Sequence, residues 1–424
     1  MVISNNKMLV YWPITLFWKV FGVFPASVQG GRRNSNTSLP ILSTVLLLAS
    51  SLYALFAGTV VVCRIGEKCT SESIRILKQI YPGILNVTSM LSRIALSYSV
   101  TVGFDKYTET MECYETYSPT TAAEASRYKV FTAAAVCACM LLVIPVNAMR
   151  LWILWTDSVD PTLAIVHYTF IYVQNLTMCC SETQFAEQCF VLYDKLKTVN
   201  DDVTVLGGPA GLARFSRHFR ATAAATPDAP GTAAALASPG AADGAHAAVA
   251  DRAVQDPLGS VVAATVTVET LRIRHWLLRE AISCLNRLFG VQLGMSVCAL
   301  CVMSFFDIYY ETFHVMGEYI MSNFIIYSWM LHYAVRYVGI ILMSHYTTKQ
   351  ALYTKTLIAN LKSNCLDCSI NQELHLFLDQ LSHSSVEFTA CDIFTLNIRL
   401  IISTFAAGLT YLVILIQYQT NMKV

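Results

Sequence analysis

The stretch Thr410-Tyr411-Leu412-Val413-Ile414-Leu415-Ile416-Gln417-Tyr418-Gln419 decides how the rest of the chain is read. It closes a hydrophobic span from Phe394 to Tyr418, and no charge occurs from Leu400 through Met422. A run of that length can cross the hydrocarbon core of a bilayer. Ser403, Thr410, Gln417 and Asn421 interrupt it at steps of seven, seven and four, which keeps their side chains near one helix face. A lone helix would hold that polar stripe in lipid at a real cost. Two arrangements relieve it: hydrogen bonds to other helices of the same subunit, or several copies of the helix around a hydrated axis. Ile414 lies on the stripe between Thr410 and Gln417, where an apolar ring can close a pore by dewetting and an amide ring follows it. Gly408 offers a place for the helix to bend.

The rest of the composition agrees with a membrane setting. The chain is 55% hydrophobic and 13% charged, and its mean hydropathy is positive at +0.49. A net charge of +1 with no basic face argues against nucleic acid as a partner. Of the 14 cysteines, Cys137, Cys139, Cys179, Cys180, Cys298 and Cys301 sit inside apolar runs, where they read as small packing residues. Cys63 and Cys69 flank a loop and are spaced to pair. The first apolar stretch, Met8 to Phe24, holds Pro13 and Lys19 and lacks a cleavage pattern, so it reads as an aromatic interfacial segment rather than a leader.

Seven segments have the length and apolarity of spanning helices: 39–63, 80–104, 130–155, 163–192, 288–310, 319–343 and 394–418. The second carries Arg93 and the sixth Arg336, interior charges that must face protein or water. The expected fold is therefore an all-α membrane protein. Its parts are an amino-terminal segment (1–38), spans one to four (39–192), a loop (193–267), a helical extension with spans five and six (268–343), anchor helices (344–393) and the last span with its tail (394–424). Outside the spans, 20 Lys and Arg fall on the amino-terminal side and 5 on the other, which places the amino terminus in the cytoplasm and the carboxyl terminus outside. This is the reverse of a receptor that signals through a G protein, the alternative reading of seven spans. Thr204 to Ala264 is rich in Ala, Gly and Pro and is expected to be disordered. Val268 to Leu288 and Asn371 to Ile393 repeat apolar residues at helical spacing and predict a helical platform below the membrane. No internal repeat and no β pattern stand out.

The sequence offers no catalytic or metal chemistry. Cys365-Leu366-Asp367-Cys368 is a lone C-x-x-C with no second pair. Phosphate loops and hydrolase motifs are missing, so an enzyme, a cofactor and a metal are not expected. The sequons at Asn36, Asn86 and Asn175 fall in the cytoplasm or inside spans. The polar residues that remain lie in the outer halves of the spans: Asn147 and Arg150, His167 and Tyr172, Asp307, and Asn323 with Trp329. An aromatic wall with a few fixed donors and acceptors suits a small polar organic ligand. The competing use is structural, with Arg150 paired to Asp307 and His167 held in the core.

Four stretches resemble one family. Thr410-Tyr411, five apolar residues, Gln417 and Tyr418 resemble the carboxyl-terminal signature of the insect gustatory receptors, relatives of the insect odorant receptors. Phe21-Gly22-Val23-Phe24-Pro25, the run His275-Trp276 with Leu285-Asn286-Arg287-Leu288-Phe289-Gly290, and Ala390-Cys391-Asp392-Ile393-Phe394 are similar to further stretches of that family. The resemblance implies a ligand-gated, non-selective cation channel in the plasma membrane, in the dendrite of a taste neuron. It further implies a homo- or heterotetramer with other gustatory receptors, in contact with membrane lipid, that detects a small-molecule tastant. The last helix would line the pore, with Thr410, Ile414, Gln417 and Asn421 along it and the gate at Ile414 and Gln417. Tyr418 stands where the family usually has Phe, and the stretch 222–250 is an unusually large insertion. Leu412 stands where sugar receptors of the main clade usually carry Glu, which leaves a fructose-type, bitter or carbon dioxide receptor.

Overall fold

The computed structural model describes residues 28–29, 32–33, 45, 48–49, 52–53, 72–158, 160–207, 257–314, 320–363, 368–383 and 386–422. Seven helices carry the fold among them: α1 (Glu72–Tyr117), α2 (Ala122–Asp157), α3 (Pro161–Leu206), α4 (Pro257–His314), α5 (Ile320–Ser363), α6 (Cys368–His383) and α7 (Ile398–Met422). Two short antiparallel hairpins join them, β1 (Val28–Gln29) with β2 (Arg32–Arg33) and β3 (Thr389–Ala390) with β4 (Phe394–Thr395).

Local chemistry sets several ends. Thr121 caps α2 in a capping box: its hydroxyl accepts from the Glu124 N–H at 3.3 Å, and the Glu124 carboxylate accepts from the Thr121 N–H at 2.8 Å. Pro161 opens α3, where its missing N–H costs nothing. Asn397 opens α7; its Oδ1 accepts from Arg399 N at 3.0 Å and Leu400 N at 3.3 Å.

Among the described residues, 122–156, 161–206 and 264–308 are long and apolar enough to cross a membrane. Gly83–Leu96 and Ile398–Ile414 are shorter apolar helical stretches. The central element is α3, which packs against α1, α2, α4 and α5. Its lower half buries Leu192, Leu196 and Val199 completely. There Leu278 and Leu285 of α4 and Leu374 and Phe377 of α6 complete one continuous core, with Phe388 closing it from the chain beyond α6. By contrast, α7 packs mainly on α5 and α4, and most of its described surface is open.

The elements differ from the sequence-based expectation in four places. The extension expected from Val268 begins at Pro257, because the apolar repeat of α4 continues upstream into the small-residue region. The sixth span does not stop at Met343 but runs on as one helix to Ser363. The helix expected through Ile393 ends at His383, and a hairpin at Thr389–Thr395 follows where no β pattern was expected. The last helix starts at Ile398 rather than Phe394, since Phe394 pairs in that hairpin, and it passes through Gly408 without a break. The expected first span, the Cys63–Cys69 pair and the 208–256 stretch lie wholly or mostly outside the described residues.

Candidate functional site

Pocket candidates converge at one end of the bundle. Trp329 on α5 is 1% exposed and forms the hub. The Arg150 guanidinium from α2 lies over its ring at 5.7 Å, and Tyr172 of α3 packs against it at 5.9 Å. Tyr168 links Tyr172 (6.1 Å) to His167 (5.4 Å), and Tyr53 from the first span meets the His167 edge at 6.5 Å. Asp307 of α4 is buried within electrostatic range of Arg150, and Asn147 is buried one helical turn before Arg150. The side chain of Asn323 lies outside the described residues.

These groups share one property. Asn147 Oδ1, both His167 ring nitrogens, Tyr172 Oη, Asp307 Oδ2 and Trp329 Nε1 are all buried without a hydrogen-bond partner among the described residues. Leaving one such atom unpaired costs about 1–3 kcal/mol, and native interiors satisfy nearly all of them. Five side chains in that state lie along one aromatic wall; others, such as Gln184, Glu187, His275 and Gln292, are spread through the rest of the bundle.

Below this wall lies a closed polar network that the sequence reading missed. Arg336 of α5 donates Nε and Nη2 to Glu182 of α3 at 2.7 and 2.8 Å, a bidentate pair with both side chains at most 5% exposed. Its Nη1 donates to Asn175 Oδ1 at 2.6 Å and to His332 Nε2 at 3.1 Å. Because guanidinium only donates, Nε2 must accept; the proton sits on Nδ1 and is donated to the Leu142 carbonyl at 3.3 Å. His332 is thus neutral and ties α2 to α5. Arg336 is the interior charge of the expected sixth span; its matching signal in the sequence is Glu182, the first charged residue of α3, inside the expected fourth span. A space of about 10 Å³, room for one water, lies between Ser89, Ser92 and Arg93 of α1 and Gln174, Thr177 and Ser181 of α3, with none of the aromatic-wall residues in its lining.

The candidate pore residues lie elsewhere. Thr410, Ile414 and Gln417 are exposed on α7, and Asn421 belongs to the helix but its side chain is not described. The Thr410 hydroxyl donates to the Ala406 carbonyl at 2.9 Å, and Ser403 donates to Arg399 and Leu400 carbonyls, so neither bonds another helix. The hydroxyl that does is Thr404, which accepts from Tyr337 of α5 at 2.8 Å; Tyr337 also reaches the Leu400 carbonyl at 3.3 Å. Trp329, Tyr333 and Tyr337 recur every four residues on α5, with Trp329 and Tyr333 rings 5.4 Å apart. One helix face thus runs from the aromatic wall to the start of α7.

The hairpin before α7 is clamped to α4. Asn286 accepts from the Thr389 N–H at 2.9 Å and donates to the Thr389 hydroxyl at 2.8 Å, while Cys391 N–H donates to the Gly290 carbonyl at 3.1 Å. Cys391 and Asp392 take φ of 53° and 54°, the left-handed turn that this docking demands. Gly294 has no room for a side chain, since a Cβ there would fall on the Cys391 Sγ. Two stretches singled out in the sequence, 285–290 and 390–394, are therefore each other's packing partners. Further down α4, ahead of the span expected at 288–310, His275 is buried against Phe377 with Nε2 3.4 Å from the Ala351 carbonyl, and burial pushes its pKa down to about 4. A hydrogen bond from Lys106 holds the Glu280 carboxyl below its usual range.

Comparison with known proteins places the chain. The family model described as "7tm Chemosensory receptor" matches residues 13–422. A Drosophila melanogaster protein, "Putative gustatory receptor 28b", is 25% identical over 166 residues, covering 37% of this chain and 35% of that relative. The insect olfactory receptor OR5 from Machilis hrabei superposes with a TM-score of 0.60 at 10% identity, over 98% of this chain and all of that one. The same receptor in complex with eugenol superposes at 0.57 and 11%. The all-helical seven-transmembrane architecture is common to both. With nearly its whole length matched, this chain belongs to the 7tm chemosensory receptor family.

Proposed function

We propose that the chain is a gustatory receptor in which a small soluble tastant, a bitter compound or a fructose-type sugar, opens a cation path. The ligand binds at the aromatic wall around Trp329, with Asn147, Arg150, His167, Tyr172, Asp307 and Asn323 supplying its polar contacts. Copies of α7 line the path in a homo- or heterotetramer, with Thr410, Ile414, Gln417 and Asn421 facing it. The amino terminus is cytoplasmic, and the receptor sits in the plasma membrane of a taste neuron's dendrite. The observation that carries this reading is the set of five buried side chains with unpartnered polar atoms. Gathered beside one aromatic wall, they are the groups that a small polar ligand would complete. The row Trp329, Tyr333, Tyr337 supplies a mechanical connection from that wall to Thr404 of α7.

The test is cation current in cells expressing this chain alone, challenged with a panel of sugars and plant alkaloids. Trp329→Phe, which removes the indole N–H together with one ring, and Asp307→Asn, which removes the acid at constant volume, are expected to raise the half-maximal concentration of the active compound while sparing maximal current. Equal loss of both quantities at normal surface expression would give these residues a structural role instead.

A further inference from the structure

We propose that Arg399 and its symmetry copies form a ring of positive charge at the amino-terminal mouth of the pore and limit how strongly the pore prefers cations. The inference rests on the reading above, in which α7 lines the ion path. It adds a residue that sets charge selectivity.

Three observations lead to it. The first is angular. Asn397, Leu400, Ile401, Thr404, Gly408 and Leu412 are half-buried and mark the α7 face that packs on its own subunit. At 3.6 residues per turn, Ser403, Thr410 and Gln417 fall roughly 100–140° to one side of Thr404. Arg399 falls at roughly 140° on that same side, in register with Gln417 and nearly opposite the packed face. The exposed apolar residues Ile402, Phe405, Leu409 and Val413 gather on the other side, which suits lipid or a neighbouring subunit. A helix that turns its hydroxyls and amide to water turns Arg399 there as well.

The second observation is rigidity. The first turn of α7 is fixed by the Asn397 cap, whose Nδ2 also donates to Thr395 Oγ1 at 2.8 Å, and Leu396 N–H donates to the Phe388 carbonyl at 2.8 Å. The hairpin and the cap leave Arg399 little freedom to roll toward the lipid side. The third is charge. Arg399 is exposed, joins no ion pair among the described residues, and is the only formally charged residue from Ile398 through Met422. Any charge discrimination that α7 itself exerts comes from this one position. Around an axis, several such charges act within about one Debye length, ~8 Å at physiological salt. They repel entering cations, draw anions, and weaken as salt rises.

The experiment uses the purified full chain in planar phosphatidylcholine bilayers under a steep NaCl gradient, reading spontaneous openings. Arg399→Gln and Arg399→Glu should raise the sodium-to-chloride permeability ratio several-fold, the glutamate more than the glutamine, and should increase unitary sodium conductance. Arg399→Lys should behave as the parent chain. The parent chain gives a second reading that needs no substitution: its sodium preference should rise as ionic strength screens the ring. A parental permeability ratio in both the Gln and Glu variants, together with block of Gln417→Cys by a charged methanethiosulfonate reagent, overturns the ring and leaves the pore reading intact; Arg399 then reaches for lipid phosphate. Failure of Gln417→Cys to respond to the reagent in a conducting chain sinks the pore reading and the ring together.

Discussion

Arg336 shows what one buried cation demands of its surroundings. It uses both forks on Glu182 and its remaining amine on Asn175 and His332, so each partner is specified by its donors. Removing a single member of a buried pair strands the other, at about 3–5 kcal/mol. Glu182→Leu should therefore abolish a stable detergent-solubilised receptor, while Glu182→Leu with Arg336→Met should restore much of the loss, read as melting temperature. Equal instability in the single and double variants would show that the charges hold the bundle by something other than their pairing. His275 makes a separate prediction. Its folded pKa of about 4 lies below the ordinary value of 6.5, so the folded state binds fewer protons than the unfolded chain between those values. Stability should be full above pH 6.5 and fall on acidification toward pH 4. His275→Gln should remove that acid-sensitive part, visible as a smaller drop in melting temperature between pH 7 and pH 5. At this scale the sequence disclosed residue types but not their pairing. Asn147, Arg150, His167, Tyr172, Asp307 and Trp329 were legible as polar groups in apolar spans. That Arg336 faces Glu182 rather than solvent depends on helix rotation, which no single-span pattern contains.

Among the elements, the contact between α4 and the hairpin at Thr389–Thr395 matters most for function, because α4 carries Asp307 near its carboxyl end and holds the origin of α7 near its middle. The contact is close backbone packing, and Gly290 and Gly294 make it possible: a Cβ at Gly290 would come within 3.2 Å of the Thr389 carbonyl, and one at Gly294 would meet the Cys391 sulfur. Gly294→Val should push the hairpin off α4 and change resting leak current at normal agonist affinity. Asn286→Ala, which removes two hydrogen bonds without adding bulk, should do so more mildly. A shift in agonist affinity with unchanged leak would argue that the hairpin serves the ligand site instead. Helix positions were readable because long apolar runs with 3.6-residue repeats leave few alternatives. Helix ends were less so. Val386, Phe388 and Ala390 alternate with more exposed residues, a run too short to stand out as a strand, and the turn at Cys391 and Asp392 is stabilised by α4, a partner more than ninety residues away in sequence.

For the whole molecule, the open surface of α7 is the feature a single subunit leaves unfinished. Phe405 is 68% exposed, Ile402 66% and Ile414 52%, while Thr410 and Ser403 bond only their own helix. A monomer in lipid would bury the apolar part of that surface and strand Gln417; an assembly around an axis satisfies both halves, since lipid or a neighbour takes Phe405 and water takes the amide. In the proposed orientation, with the amino terminus cytoplasmic, Arg399 would lie on the cytoplasmic side of that axis and Gln417 toward the outside. Copies of Thr410 should then lie near one another across the axis, whereas Thr404, held by Tyr337 within its own subunit, should not. Oxidative cross-linking of the full chain in membranes should give covalent dimers with Thr410→Cys or Gln417→Cys beyond the level of the parent chain, and none with Thr404→Cys. Because the chain has 14 native cysteines, the comparison with the parent is what carries the result. Cross-links that form through Thr404→Cys but not through Thr410→Cys would turn the packed face toward the neighbour, and the ion path would then have to be sought inside a single subunit.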